Sequence, residues 1–177
     1  MELNTNKKTN YRWIVCGFLW VAVAVNYVDR TALSAATPII MKEFNIDGTE
    51  MGIIMAAFFW AYALLQVPMG YIADKFGQRI VYSIAVAWWS IAQMCIAVCS
   101  SLFGFVTARL FLGVGEAGSY PCNVGVVSKW FPKHERSRAT AIFDSASKFG
   151  NAFAMPVVVG LITMFTWHAP FLIFGAI

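Results

Sequence analysis

From Ile80 to Ala108 the chain runs 29 residues without a charged side chain, and from Met51 to Ala73 it runs 23. About 20 apolar residues cross the hydrocarbon of a bilayer as a helix, and a helix satisfies its own backbone hydrogen bonds there. Neither run suits the core helix of a soluble domain. Charged residues make up 12% of the chain, about half their ordinary share. The fold class this implies is all-α, a polytopic membrane protein. The first apolar run, Trp13 to Val28, continues through Asp29 and Arg30 to Met41 with no small-residue cleavage site, so it reads as a retained first span and not a signal peptide.

The remaining spans follow from where charges and turn residues interrupt the apolar pattern. Residues 1–12 form a polar tail with Lys7 and Lys8, and residues 13–177 form the bundle. Span one covers about Trp13 to Met41, and a polar, acidic link runs from Lys42 to Glu50. Span two, Met51 to about Tyr71, leads into a charged turn at residues 74–79. Span three, Ile80 to about Cys99, turns at Ser100 and Ser101, and span four covers Leu102 to about Val127 as one helix. A basic link, Lys129 to Arg138, precedes span five, Ala139 to about Thr166. A sixth apolar run starts at Pro170 and reaches Ile177, eight residues that are too few to cross, so five complete spans and the start of a sixth are expected.

Orientation follows from the basic residues. The tail, the 74–79 turn and the 129–138 link fall on one side and carry Lys7, Lys8, Arg12, Lys75, Arg79, Lys129, Lys133, Arg136 and Arg138, against Lys42 alone on the other. Nine against one places the amino terminus in the cytoplasm of a cell (inner) membrane. The same distribution explains the net charge of +4 by topology and argues against a nucleic-acid partner. The four cysteines, Cys16, Cys95, Cys99 and Cys122, all fall in expected spans away from His134 and His168, which favours buried thiols over a metal site.

Charges inside the spans carry the functional signal. The stretch RLFLGVGEAGSYP, Arg109 to Pro121, sets an arginine and a glutamate in an apolar segment. Seven residues advance nearly two helical turns, which places both on one face, on the order of 10 Å apart along the axis. A charge near the bilayer centre costs roughly 3 kcal/mol even on lenient insertion scales, so such residues face a partner or a watery cavity. Asp29 and Arg30 in span one repeat the acid-with-arginine pairing. If residues 13–99 and 102–177 are inverted repeats of three spans, the first helices of both correspond, and the repeat axis brings the two pairs to one cavity. Asp144 and Lys148, four apart in span five, are spaced to pair with each other, and a neutralising ion pair and roles in the cavity both stay open for them. Tyr62, Gln66 and Asn151 are candidate donors to substrate hydroxyls.

Gly113, Gly115 and Gly118 spell the dinucleotide fingerprint, but no strand, soluble helix or βαβ unit surrounds them, and close helix packing is the better reading. Gly150, Ala154 and Gly160 are expected to act likewise in span five. No nucleophile with a base, metal cluster or cofactor motif remains, so an enzyme is not expected and protons are the only coupling species proposed.

The run from Gly70 to Arg79, GYIADKFGQR, fits the signature G-x-x-x-D-[RK]-x-G-x-[RK] and resembles the cytoplasmic loop of the major facilitator superfamily; Ile80 departs where a second basic residue is usual. Here Asp74 is expected to cap the next helix and accept from Lys75 or Arg79, with Gly77 making the turn. Three further stretches, NYVDR (26–30), RLFLGVGEAGSYP (109–121) and SKWFPKHERSRA (128–139), resemble the anion:cation symporter branch, which holds bacterial galactonate, glucarate and hexuronate carriers and vesicular glutamate and sialic acid carriers.

The resemblance spans essentially the whole chain and equals the amino-terminal, six-helix half of such a carrier, leaving a carboxy-terminal half as a missing partner. It implies that Arg30 and Arg109 contact an organic anion, that Asp29 and Glu116 couple protons, and that Gly70, Asp74, Lys75, Gly77 and Arg79 form a cytoplasmic gate loop. Lys148 adds a cation suited to a dianion and Asp144 a third acid. The function expected is proton-coupled import of a sugar acid by alternating access. Tartrate, an aromatic acid or phosphate is the alternative cargo, and a non-transporting sensor that keeps the fold is the alternative class.

Overall fold

A computed structural model of the chain describes residues 11–176, so most of the expected tail, Lys7 and Lys8 included, lies outside the described residues. Seven helices follow one another there: α1 (Tyr11–Phe44), α2 (Gly48–Phe76), α3 (Gln78–Ile96), α4 (Leu102–Glu116), α5 (Ser119–Trp130), α6 (Lys133–Met164) and α7 (His168–Gly175). Four of them, α1, α2, α3 and α6, are each long and apolar enough to cross a membrane. The chain is a multi-pass membrane protein.

Where the spans differ from expectation, local chemistry explains it. Span four is two helices, because Pro121 has no N–H to give to the Ala117 carbonyl and the ladder slips at residues 117–118. Both residues keep right-handed helical dihedrals, so the direction of the chain is little changed. The acidic link is short: α1 runs on to Phe44, and α2 starts behind a capping box in which Asp47 accepts from the Glu50 N–H while Glu50 accepts from that of Asp47. The basic link shrinks to Phe131 and Pro132, since Pro132 is preset for the position before a first helical turn and α6 begins at Lys133. Cys99 lies outside α3, which ends at Ile96, and α7 begins at His168 instead of Pro170.

The expected 74–79 turn is a single residue. Gly77, at φ +93°, reverses the chain between α2 and α3 in a region that side chains avoid. Asp74 therefore ends α2 and does not cap α3; its carboxylate accepts from Gln78 Nε2 at 3.2 Å.

In packing, α1 lies along α6 and α2 along α4, with α3 behind α4 and α7. The α2–α4 approach depends on Gly113, where a Cβ would stand 2.6 Å from the Phe58 carbonyl oxygen. Gly115 meets Trp88 and Trp89 as closely, and Gly150 lets α6 reach Tyr27 and Ala24, whereas Gly160 faces open space and serves no packing role. Two apolar clusters result. One, around Ala32, Phe58, Trp89, Phe105 and Phe171, lies toward the 44–48 end, and the other, around Leu19, Val23, Phe131 and Phe143, toward the 77 end. The buried charges lie in the band between them.

Candidate functional site

Helix α1 places Asn26, Asp29 and Arg30 on successive turns of its inner face, just beyond Val23 of one apolar cluster and before Ala32 of the other. Helix α4 brings Arg109 and Glu116 to the same level from the opposite side. Asp29 and Glu116 are 0% exposed and Arg109 is 3% exposed. The structure thus places Asp29, Arg30, Arg109 and Glu116 in one buried band between α1 and α4.

Their pairing is unequal. Arg30 donates to one oxygen of Glu116 through both Nε and Nη2, each at 2.8 Å, so the ion pair crosses from α1 to α4. Glu116 is held by this distant partner and forms no ion pair with Arg109, seven residues before it on its own helix. The other Glu116 oxygen, both Asp29 oxygens, and Nε and Nη1 of Arg109 have no hydrogen-bond partner. Arg109 is instead seated over the ring of Phe58, its guanidinium carbon 4.7 Å from the centroid. Arg30 lies over the same ring at 5.0 Å and also over Tyr27 at 5.1 Å and Tyr62 at 4.6 Å. An aromatic face attracts a cation without using its N–H groups. The cage therefore steadies both guanidiniums while leaving donors for an anion.

Tyr27 and Phe58 are site residues that the sequence reading missed. Phe58 lies in the apolar run AAFFWAYALL, where nothing separates a cage ring from a lipid-facing one; its spacing of four from Tyr62 is the one available signal. Arg30, Tyr62, Tyr27, Tyr120 and Asp144 border a cleft that opens beside the ion pair. Gln66 donates to the Tyr62 hydroxyl at 3.4 Å, a weak contact that makes it a neighbour of the cleft and not part of its wall.

The other expected members stand apart. Asp144, Lys148 and Asn151 are exposed on α6, and among the described residues Asp144 and Lys148 form no ion pair despite their spacing of four. Exposed ends lose little to water and gain little from each other, so spacing alone does not fix a pair. Asp144 reaches the edge of the cleft, and neither Lys148 nor Asn151 does. At the gate loop, Gly70 lies in ordinary contact with Pro121 and Gln78 joins Asp74 to Lys129. Lys75 lies over the Phe76 ring, and Lys75 and Arg79 are exposed. The first turns of α1 and α6 are joined by an Arg12–Glu135 salt bridge at 2.9 Å that the sequence did not suggest.

Comparison with known proteins identifies the family and the fold. The sequence profile of the Major Facilitator Superfamily matches residues 19–177. A D-galactonate transporter of Escherichia coli O6:H1 is 34% identical over 177 residues, all of this chain and 41% of that protein. A probable galactarate/D-glucarate transporter of Escherichia coli K12 is 35% identical across 97% of this chain and 40% of its own length. The chain thus spans about two fifths of the curated relatives it matches. In three dimensions it resembles a bacterial homologue of the human lysosomal transporter Spinster, solved in an inward-facing, occupied conformation, with a TM-score of 0.85 at 22% identity over 96% of this chain and 42% of that one.

Proposed function

The chain belongs to the major facilitator superfamily, and from that premise we propose that it is the amino-terminal six-helix half of a secondary transporter importing a sugar acid, an aldonate, aldarate or hexuronate, with protons. One observation carries this reading: Arg30 is bonded to the fully buried Glu116 while Arg109 beside it keeps two donor nitrogens unpaired. Two cations and two acids balance one another in the empty site. An entering carboxylate must take a guanidinium from Glu116, and a proton on Glu116 releases that guanidinium and restores neutrality. Proton and anion are then coupled by charge balance alone.

The likeness to galactonate and galactarate/glucarate transporters supports the substrate class. The packing of α1 on α6 beside that of α2 on α4 supports the three-plus-three repeat, because an inverted repeat maps one contact onto the other. In this reading the second half of the protein closes the cleft opposite Arg30 and Tyr62, and the two halves rock about the site. The Gly77 loop, with Gly70, Asp74, Lys75 and Arg79, latches the cytoplasmic side, and the amino terminus lies in the cytoplasm beneath the cell membrane.

The test is uptake of labelled galactonate, glucarate and galacturonate by proteoliposomes that hold this chain joined to its carboxy-terminal half, with and without an inward proton gradient. Gradient-stimulated uptake of one acid is the expected result. No uptake of any of the three by correctly inserted protein refutes the sugar-acid reading. Uptake of tartrate, an aromatic acid or phosphate then identifies a different anion carrier, and binding without translocation identifies a sensor.

A further inference from the structure

Between the two apolar clusters, a set of uncharged polar side chains continues from the acid pair toward the end of the bundle that carries Gly77. Asn26 is one turn from Asp29 on α1, and Ser119 follows Glu116 by three residues, just past the slipped turn. Asn26 Nδ2 donates to Ser119 Oγ at 2.9 Å. The Tyr82 hydroxyl of α3 lies beside Ser119 and Asn123 without hydrogen bonding to either. Tyr82 is in turn one helical turn from Gln78, which holds Asp74 and Lys129 at the surface.

Asn26, Ser119 and Asn123 are at least nine-tenths buried, yet Asn26 Oδ1, both polar atoms of Asn123 and the Tyr82 hydroxyl lack partners. Helix glue of the usual kind would pair these atoms with one another across the interface. Asn26, Ser119 and Asn123 line the cleft beside Arg30 and Tyr62, and with Tyr82 they bring unpaired buried polar atoms from three helices that provide the two to four partners a bound water needs.

We infer that Asn26, Ser119, Tyr82 and Asn123 hold a file of water molecules along which protons leave Asp29 and Glu116 for the cytoplasm. The inference rests on the proton-coupled reading above and assigns its exit route. In each transfer a carboxyl O–H gives its proton to the adjoining water, which passes one of its own to the next; the last is released to solution and the acid remains as carboxylate. All four residues offer donors or acceptors without a charge of their own, so none of them traps the proton. They act on the acids through water and are positioning residues.

The test compares two modes in the complete transporter. Net uptake requires the proton to leave inside, whereas counterflow exchange of labelled for unlabelled galactonate lets the loaded carrier return with its protons. Tyr82→Phe, which removes one oxygen outside the cleft lining, is expected to slow gradient-driven uptake about tenfold while exchange stays within about twofold; Asn123→Leu, on the cleft wall, is expected to slow uptake more than exchange, and Asn123→Ser to recover most of the uptake. Unchanged uptake in Tyr82→Phe and Asn123→Leu overturns the inference, as does an equal loss of uptake and exchange in all three variants, which marks a packing role. A parent protein without gradient-driven uptake removes the coupled reading itself. A coupled parent with indifferent variants removes only the exit route.

Discussion

Glu116→Gln isolates the step on which the coupling argument depends. The change keeps the shape of the side chain and cancels one charge, so it imitates a permanently protonated Glu116. In the native site the two guanidinium contacts at 2.8 Å must be given up before Arg30 can serve an anion. The gross attraction at that distance is about 6 kcal/mol for an effective dielectric constant near 20. Most of it is offset by hydration exchanged on either side, because Arg30 retains 21% side-chain exposure, and a charged hydrogen-bond pair nets about 1.5–3 kcal/mol. Removing that competition should tighten anion binding by roughly 10- to 100-fold. The variant is also expected to lose stimulation by a proton gradient and to retain counterflow exchange. Calorimetric titration with the sugar acid measures the first effect, and paired uptake and exchange assays measure the second. Unaltered affinity together with undiminished gradient-driven uptake would remove Glu116 from the coupling step.

Three other outcomes follow from particular contacts. Arg109→Ala deletes the guanidinium with free donors and should weaken anion binding roughly 10- to 100-fold, the worth of a charged hydrogen-bonded contact; equal affinity in a titration takes Arg109 out of the site. Gly113→Ala pushes a methyl group against the Phe58 carbonyl oxygen and should cost about 1–3 kcal/mol, while Gly160→Ala, in open space, should cost nothing, a contrast readable in thermal unfolding of the detergent-solubilised protein. Lys148→Gln removes an exposed cation that lies outside the cleft and has no ion-pair partner among the described residues, so both stability and anion affinity should hold. A loss of affinity confined to dianionic aldarates in a titration would refute that placement and make Lys148 a contact for a second carboxylate.

The bundle was legible because charge is rare in it. Where acids and arginines interrupt apolar runs, only burial in a shared site is tolerable, and that constraint alone is enough to bring Asp29, Arg30, Arg109 and Glu116 together. Partners were less legible than places. Glu116 has Arg109 on its own helix and Arg30 across the bundle, and which one it takes depends on the approach of α1 to α4, a property of packing. The Phe58 and Tyr27 cage was invisible for the same reason, since an aromatic ring in an apolar run has no mark of what lies against its face. Asp144 and Lys148 show the converse error: spacing of four permits a pair, but the exposed face of α6 gives neither side chain a reason to form one. The break before Pro121 was not read from the sequence, because the apolar pattern of span four runs through it and the flanking dihedrals stay helical.

Charge counting also bears on how many protons accompany each anion. One proton on Glu116 leaves the loaded site neutral, because Arg109 has free donors before the anion arrives; a second proton is expected on Asp29, fully buried with neither oxygen hydrogen-bonded, once the substrate engages Arg109. With a monovalent acid bound, the four side chains and the substrate then sum to one positive charge, whereas the empty, deprotonated site sums to zero. The loaded carrier is the only one of the two that feels the membrane potential, which is worth about 2.3 kcal/mol per charge per 100 mV. Uptake of galactonate should therefore accelerate when a potassium diffusion potential makes the vesicle interior negative, at fixed pH on both sides. Asp29→Asn holds one proton-equivalent permanently in place and leaves the loaded and empty sites each one positive charge higher than an Asp29 that stays ionised. The inward, loaded step then keeps its charge while the empty return now moves a positive charge outward against the same potential, and the net acceleration should vanish. Uptake of a monovalent acid that ignores the potential in the parent protein would mean that Glu116 alone exchanges a proton with the substrate and that Asp29 keeps Arg109 in balance throughout the cycle.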